Sequence, residues 1–363
     1  MWGKRPDMVV HEESPFNAEP PRKALAESPI TALAAFYARN HGPIPDIDAD
    51  AWRLTVHGLA GEPISYSLAE LRSGFTAHTV IATLQCAGNR RAGYNLVRPI
   101  PGEDPWGPAA TSTARWRGVR LADVLDPVAQ PGRQPGRRDR VHVAFTGADV
   151  SALADPPQRF GGSIPLAKAL SPEVLLAWAM NDEPLARVHG APVRLVVPGY
   201  IGARSIKWVT TVQLQRFPSD NYFQATAYRI VPPDAEPGPG KGISLSSVAL
   251  NCDILTPDDG EHVAAGALRV AGYAFAGDGR GIARVDVSTD GGSSWQQAEL
   301  APQVSRWAWR LWHLTIDATP GPLHLTARAW DSIGATQPES PAPLWNPKGY
   351  ANNSWAHIDV TVR

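Results

Sequence analysis

Thr83-Leu84-Gln85-Cys86-Ala87-Gly88-Asn89-Arg90-Arg91 joins an apolar run to a cysteine, a Gly-Asn turn and two arginines. The run that leads into it, Thr79-Val80-Ile81-Ala82-Thr83-Leu84, has the length and β-branched content of a strand. Cys86 therefore stands at a strand end, and the turn after it brings cationic groups beside the sulfur. Such groups lower a thiol pKa and favour thiolate. A thiolate is in turn a suitable soft ligand for a transition metal. A bare cysteine is more often an ordinary buried thiol, and its neighbours are what distinguish Cys86.

The chain has 363 residues and only two cysteines, Cys86 and Cys252. That count excludes a disulfide scaffold, a four-thiolate zinc site and an iron–sulfur cluster built from this chain alone. No C-x-x-C-H haem attachment occurs either. One single-thiolate metal site remains open. The length predicts two domains, and 43% hydrophobic residues rules out wholesale disorder. With 34 basic and 35 acidic side chains, the net charge of −1 argues against nucleic acid as a partner. No apolar run approaches the ~20 residues of a membrane helix. Met1-Trp2-Gly3-Lys4-Arg5-Pro6-Asp7 carries no twin arginine and no apolar leader segment. A cytoplasmic location is expected for the chain as given, unless a leader preceded it.

Residues 1–30 are polar and proline-rich and read as an extended arm laid over the surface. Residues 31–235 mix short strands with helices, an α+β pattern. Within them Val193-Arg194-Leu195-Val196-Val197 is a strand, and residues 172–180 read as a short helix, from an early Pro and the spacing of Val174, Leu175 and Trp178. Residues 130–140 (QPGRQPGRRDR) read as a solvated basic loop. The clearest linker is 232–242 (PPDAEPGPGKG), and we place the boundary segment at 236–243. Residues 244–363 change grammar: 267–275, 282–289, 295–300, 307–316, 323–331 and 357–362 all read as strands. In 282–289, Ala283, Val285 and Val287 are expected on one face and Arg284, Asp286 and Ser288 on the other. The pattern predicts an all-β immunoglobulin-like sandwich, in which Cys252 is an ordinary residue.

The cysteine segment resembles the cysteine motif of the sulfite oxidase family of molybdenum enzymes, and the likeness extends along residues 30–363. Phe36-Tyr37-Ala38-Arg39-Asn40-His41 is similar to the family's early Arg-Asn-His motif. Ser112-Thr113-Ala114-Arg115-Trp116 followed by Gly118-Val119, and the stretch from Met180-Asn181 to Gly202-Ala203-Arg204-Ser205-Ile206-Lys207-Trp208, also match. Arg284-Val285-Asp286-Val287-Ser288, Trp307-Ala308-Trp309-Arg310-Leu311-Trp312 and Trp345-Asn346 resemble phrases of its dimerisation domain.

The resemblance implies a haem-free member with a molybdopterin-binding α+β domain, a dimerisation sandwich and a homodimer. It implies Cys86 as the one protein ligand to molybdenum, the rest coming from molybdopterin and oxygen groups. Tyr37, Ala38, Arg39, Asn40, His41, Asp149, His189, Arg194, Ser205, Ile206 and Lys207 would hold the pterin and its phosphate. Those residue types suit the task, because Asp149 accepts from N–H groups while His189, Arg194 and Lys207 donate to oxyanions. Arg39, Arg91, Trp106 and Tyr228 would form an anion-selective substrate pocket, with Trp106 as an apolar wall. A unit charge pair at about 4 Å and an effective dielectric near 20 contributes roughly 4 kcal/mol before desolvation. Lys348, in Trp345-Asn346-Pro347-Lys348-Gly349, stands where animal members have Arg. It joins the pocket with its charge kept and its planar fork lost.

The implied reaction is oxidation of sulfite to sulfate by oxygen-atom transfer at the Mo-molybdopterin centre. With no haem or cluster motif in the sequence, its electrons are expected to pass to dioxygen, a separate cytochrome or another soluble carrier. Two alternatives stand beside it. Asp220-Asn221-Tyr222 and Asn352-Asn353-Ser354-Trp355 lean toward nitrate reductases of the same superfamily, whereas Tyr228 leans toward sulfite. The third reading is a non-catalytic assembly module, against which Cys86, Arg39, Arg91 and Tyr228 argue together.

Overall fold

The computed structural model describes residues 1–129 and 141–363, so the basic loop at 130–140 lies outside the described residues. The strand before Cys86, Ala77–Gln85, pairs antiparallel with Thr111–Arg120 through nine residue pairs, from Ala77↔Val119 to Gln85↔Thr111. Thr111–Arg120 pairs in turn with Leu175–Met180, whose other edge takes Arg194–Val196 and Glu183–Pro184. A second sheet runs in the order Ile64–Ser67, Arg53–His57, Val209–Gln215, His142–Ser151, Gln158–Pro165. Leu54, Val56, Val143, Ile164, Val193, Leu195 and Val212 belong to one buried core that joins both sheets. Helices are few and short. Leu121–Ala129, with nine residues, is the longest among the described residues, so the expected α+β mixture is mostly β.

Residues 172–180 do not form a helix. Leu175–Met180 is an interior strand, and Leu175, Leu176 and Ala177 are all fully buried. A strand covered on both faces loses its polar alternation, and its unbroken apolar run then mimics one turn of buried helix. The arm also departs from expectation. Val9–Glu13 and Phe16–Glu19 form a hairpin whose second strand is buried at every position. Its polar residues go inside because they find partners. Asn17 accepts from the Asn40 N–H at 2.6 Å, and Glu19 accepts from the Gly107 and Ala109 N–H groups at 2.6 and 2.9 Å.

Beyond the linker, Asn251–Thr256, Gly266–Phe275, Arg310–Ala318 and Glu299–Leu300 make one sheet. His262–Val263, Ala356–Val362, Gly321–Asp331, Ile282–Ser288 and Gln296–Gln297 make another. Cys252, Ile254, Val270, Val285, Leu325 and Ile358 form the buried core shared by the two sheets. The expected strand at 295–300 is split in two, and the one at 307–316 begins only at Arg310. The face assignment in 282–289 fails at three positions: Asp286 and Ser288 are buried and Ala283 is exposed. A register shift between Ile282 and Arg284 turns the strand. The side expected to meet solvent is covered by Arg328 lying over the Trp295 ring at 3.7 Å, and Asp286 pairs beneath it with Arg284 at 2.6 Å and Arg328 at 3.6 Å.

Candidate active site

The strand pairing ends at Gln85, and the Cys86 N–H donates to Ala110 O at 2.8 Å before the chain turns sharply. The turn is closed by Asn89 N–H to Cys86 O at 3.1 Å and Arg91 N–H to Gly88 O at 3.0 Å. A Cβ on Gly88 would lie 2.5 Å from Arg91 Nη2, so only glycine lets that guanidinium approach. The Gly88 N–H points at Cys86 Sγ, 3.4 Å away. Burial nevertheless pushes the Cys86 thiol up, against the lowering pull of Arg91, Arg39 and this N–H. Here the expectation of a cation-stabilised thiolate is corrected. The cations act in the expected sense, but desolvation of a nearly inaccessible sulfur outweighs them. Ionising it requires a stronger positive partner, as a bound metal provides.

Cys86 borders an inner cavity. Tyr37, Arg39, His41, Asp149, His189, Arg194, Ser205 and Lys207 line it, as does Tyr228. Ala38, Asn40 and Ile206 do not. Ala38 bridges to Ala18 through paired backbone bonds, Asn40 lies behind Lys207, and Ile206 is core. Lys207 Nζ donates to Arg39 O at 2.9 Å, to Val188 O at 3.1 Å and to Asn40 Oδ1. Burial holds its ammonium well below the usual lysine range. Arg194 spends its fork on His189 O at 3.0 Å and Ser205 O at 2.9 Å, so it braces the wall rather than offering a free bidentate clamp. Burial likewise lowers His41 and His189 well below the ordinary histidine value, leaving both neutral.

Among the described residues lining this cavity, Asp149 holds the buried atom without a partner. Its Oδ1 is buried and has no hydrogen-bond partner, and burial pushes the carboxyl up to about 6 despite the opposing pull of Lys207. The folded value exceeds the ordinary 3.8. The stabilisation tied to the protonated form is therefore complete below that ordinary value and is lost as pH rises through about 6. In cofactor-free protein, Asp149→Asn is expected to narrow the difference in unfolding free energy between pH 4.5 and 7.5 by about 2 kcal/mol. Urea denaturation at the two pH values checks this, and an unchanged difference would assign the slope to other groups.

An outer cavity shares Arg39, His41 and Tyr228 with the inner one. The Tyr228 hydroxyl and His41 Nε2 are 2.5 Å apart, and the Tyr228 ring stacks on Tyr350 at 5.3 Å. Lys348 reaches the outer cavity from the second domain but pairs with Glu103 at 2.7 Å. Arg91 lines neither cavity. It donates to Lys348 O at 3.0 Å and Asp104 O at 2.8 Å, lies 3.3 Å from Glu103, and sits over the Tyr350 ring at 5.4 Å. Trp106 also lines neither. The Glu19 carboxylate pins the following loop at Gly107 and Ala109. Trp106 is fully buried with its ring 4.5 Å from His11. Glu103 went unnoticed in the sequence because nothing in Pro101-Gly102-Glu103-Asp104 separates a pocket acid from a loop acid. Lys4 was missed as well. Its Nζ lies 2.7 Å from both Leu33 O and Phe36 O and 2.6 Å from His189 Nε2, although the arm carries no motif.

The donor set fits a large anionic cofactor bound through one sulfur. Asp149 Oδ1 is an acceptor in want of an N–H, and Lys207 and neutral histidines share its cavity. A Cβ on Gly202 would fall 2.8 Å from Tyr37 Oη, so bare backbone forms part of the cradle. Among the described residues no three His, Cys, Asp or Glu side chains cluster as a conventional metal cage. What this chain offers a metal here is a single thiol.

Comparison with known proteins places this arrangement. Residues 41–223 match the family described as "Oxidoreductase molybdopterin binding domain", and residues 244–363 match "Mo-co oxidoreductase dimerisation domain". Fold and site thus define a molybdopterin-binding oxidoreductase. The chain is 41% identical to mitochondrial sulfite oxidase of Rattus norvegicus over 99% of its own length and 66% of that protein's. It is 38% identical to sulfite oxidase of Arabidopsis thaliana, covering 98% of this chain and 94% of that one. Among solved structures it is similar to the sulfane dehydrogenase SoxCD of Paracoccus pantotrophus, with TM-score 0.79, 27% identity, and coverage of 95% of this chain and 84% of that one. The chain belongs to the sulfite oxidase family, and its cofactor is Mo-molybdopterin. It spans just under two thirds of the length of the rat relative. No helix among the described residues is long and apolar enough to cross a membrane.

Proposed function

We propose that the protein oxidises sulfite to sulfate. The observation that carries this reading is the position of Arg39, which borders both the cavity of Cys86 and the outer cavity. A guanidinium at that junction draws a small oxyanion inward from the mouth and orients it by its planar donor fork. When bound, Mo-molybdopterin supplies two-electron oxygen-atom transfer at Cys86. The chain's own residues bind and orient. Tyr228, paired with His41, presents a hydroxyl at the junction, and burial keeps that phenol protonated by pushing it up. Arg91 and Lys348 act through Glu103 and Tyr350, holding the wall beside Arg39 rather than touching substrate. Asp149, Tyr37 and Ser205 hold the pterin, and Lys207, whose three N–H groups serve Arg39, Val188 and Asn40, braces the wall beside it. The second domain is read as an immunoglobulin-like sandwich that joins two copies into a homodimer, a reading supported by its two sheets over one core and by the dimerisation match. Electrons leave to dioxygen, a separate cytochrome or another soluble carrier.

Mixing the oxidised holoenzyme anaerobically with sulfite tests the reaction. Stoichiometric formation of sulfate and bleaching of the Mo(VI) absorption are expected. No spectral change with sulfite, together with nitrate turnover by reduced enzyme, would replace this reading by a nitrate reductase.

A further inference from the structure

The N-terminal arm reaches the cofactor cavity from outside the matched domain, which begins at residue 41. Trp2 sits with the Arg187 guanidinium 5.6 Å from its ring, and the Arg5 N–H donates to Ala34 O at 3.1 Å. Between these anchors, Lys4 Nζ meets two backbone carbonyls, of Leu33 and Phe36, and one ring nitrogen, His189 Nε2. His189 lines the cavity, is 3% exposed, and makes its hydrogen bond among the described residues through Nε2, to Lys4.

We propose that Lys4 is a positioning residue of the molybdopterin site, fixing the ring proton of His189 on Nδ1 so that the ring offers the cofactor a donor. The reason is a count of protons. An ammonium has three N–H groups and no lone pair. Two serve carbonyls, which only accept, so the third must donate to His189 Nε2. A neutral imidazole that accepts at Nε2 carries its proton on Nδ1. His189 stays neutral because burial, Lys4, Lys207 and Arg194 all oppose a charge on it.

The arrangement depends on the ammonium form. Burial draws Lys4 down to about 7. As an amine it would keep two donated bonds and accept the Nε2 proton, stripping Nδ1. An anionic cofactor in the same cavity favours the ammonium and hence the donor tautomer. Lysine and cofactor therefore support each other, as a group and its orienting partner do around other bound centres. The inference rests on the molybdopterin cofactor and is independent of which oxyanion is turned over.

Lys4→Met keeps the length of the side chain and removes every donor. The variant, expressed in a host that makes molybdopterin, is expected to retain at least threefold less molybdenum and pterin per folded protomer than wild type. Lys4→Arg should restore most of the loss, and Lys4→Gln should fall between them. In histidine-15N-labelled holoenzyme the His189 signal should report Nδ1–H in wild type and shift toward Nε2–H in Lys4→Met. That readout does not depend on turnover, and a merely structural anchor would not move it. Wild-type cofactor content together with an unchanged His189 tautomer in Lys4→Met would overturn the proposal. If the methionine variant does not fold, Lys4→Gln with full cofactor and an unaltered tautomer would do the same. A wild-type protein that takes up no pterin would instead undo the cofactor assignment beneath it.

Discussion

Cys86→Ser is expected to lower sulfite turnover by roughly 10³-fold or more, a barrier increase of about 4 kcal/mol. The substitution is small, which makes it informative. The hydroxyl occupies slightly less space at the same strand end, and the Gly88 N–H that now points at Sγ still finds an acceptor. The backbone bonds that close the turn, Asn89 to Cys86 and Arg91 to Gly88, do not involve the side chain. What is lost is the soft, polarisable thiol proposed as the metal ligand. Burial already resists ionisation of the thiol, and an alcohol in the same place ionises far less readily, so a metal gains no anionic donor from it. Molybdenum and pterin content should be measured beside turnover, because the cavity side chains proposed to hold the pterin remain in place. Turnover near wild type would remove Cys86 from the metal centre. Cys252→Ala is the control. Its thiol is pushed up by complete burial in the core of the second domain, and turnover should be unchanged.

Cys86 is legible in the sequence, and other site residues are not, for physical reasons. A strand, a thiol, a glycine turn and a guanidinium are contiguous in sequence because the turn requires them within six residues, and Gly88 is glycine because Arg91 presses on it. The strands at 77–85, 266–275 and 321–331 are legible because each carries the composition of a pleated surface. Leu175–Met180 was misread because burial on both faces erases the alternation that separates strand from helix. Asp286 was misread because a tryptophan–arginine layer, assembled from three separate segments, covers a face that its own strand marks as polar. The pocket residues divide along the same line. Arg39, Tyr228, Asp149 and Lys207 reach a cavity, but Trp106 is drawn into the core by Glu19, some ninety positions away in the chain. Glu103, which neutralises Lys348 and faces Arg91, and Lys4, which holds His189, act through contacts between remote segments and leave no local pattern.

Lys207→Met is expected to destabilise the cofactor-free protein by roughly 3–5 kcal/mol and to abolish retention of the pterin. Two effects oppose each other. The ammonium is half-buried in the cavity wall, and burial lowers it well below its usual range. Removing a costly buried charge and substituting a thioether of similar length would by itself relieve the fold. Against this stand three acceptors that the side chain now satisfies: Arg39 O at 2.9 Å, Val188 O at 3.1 Å and Asn40 Oδ1. Each buried acceptor left without a donor costs about 1–3 kcal/mol, so their sum exceeds the relief. Asp149 adds to it, because Lys207 is the group that pulls its carboxyl down, and without that pull the carboxyl climbs above about 6. The carbonyl of Arg39 matters beyond stability, since it fixes the backbone from which the Arg39 guanidinium enters both cavities. A weaker site should therefore bind the oxyanion less well even in molecules that keep some cofactor, raising KM along with the loss of pterin. Urea unfolding of cofactor-free wild type and variant measures the first effect, and pterin content with sulfite KM measures the second. An unfolding midpoint equal to wild type would mean that the three carbonyl contacts contribute nothing net, and that Lys207 serves the cofactor alone.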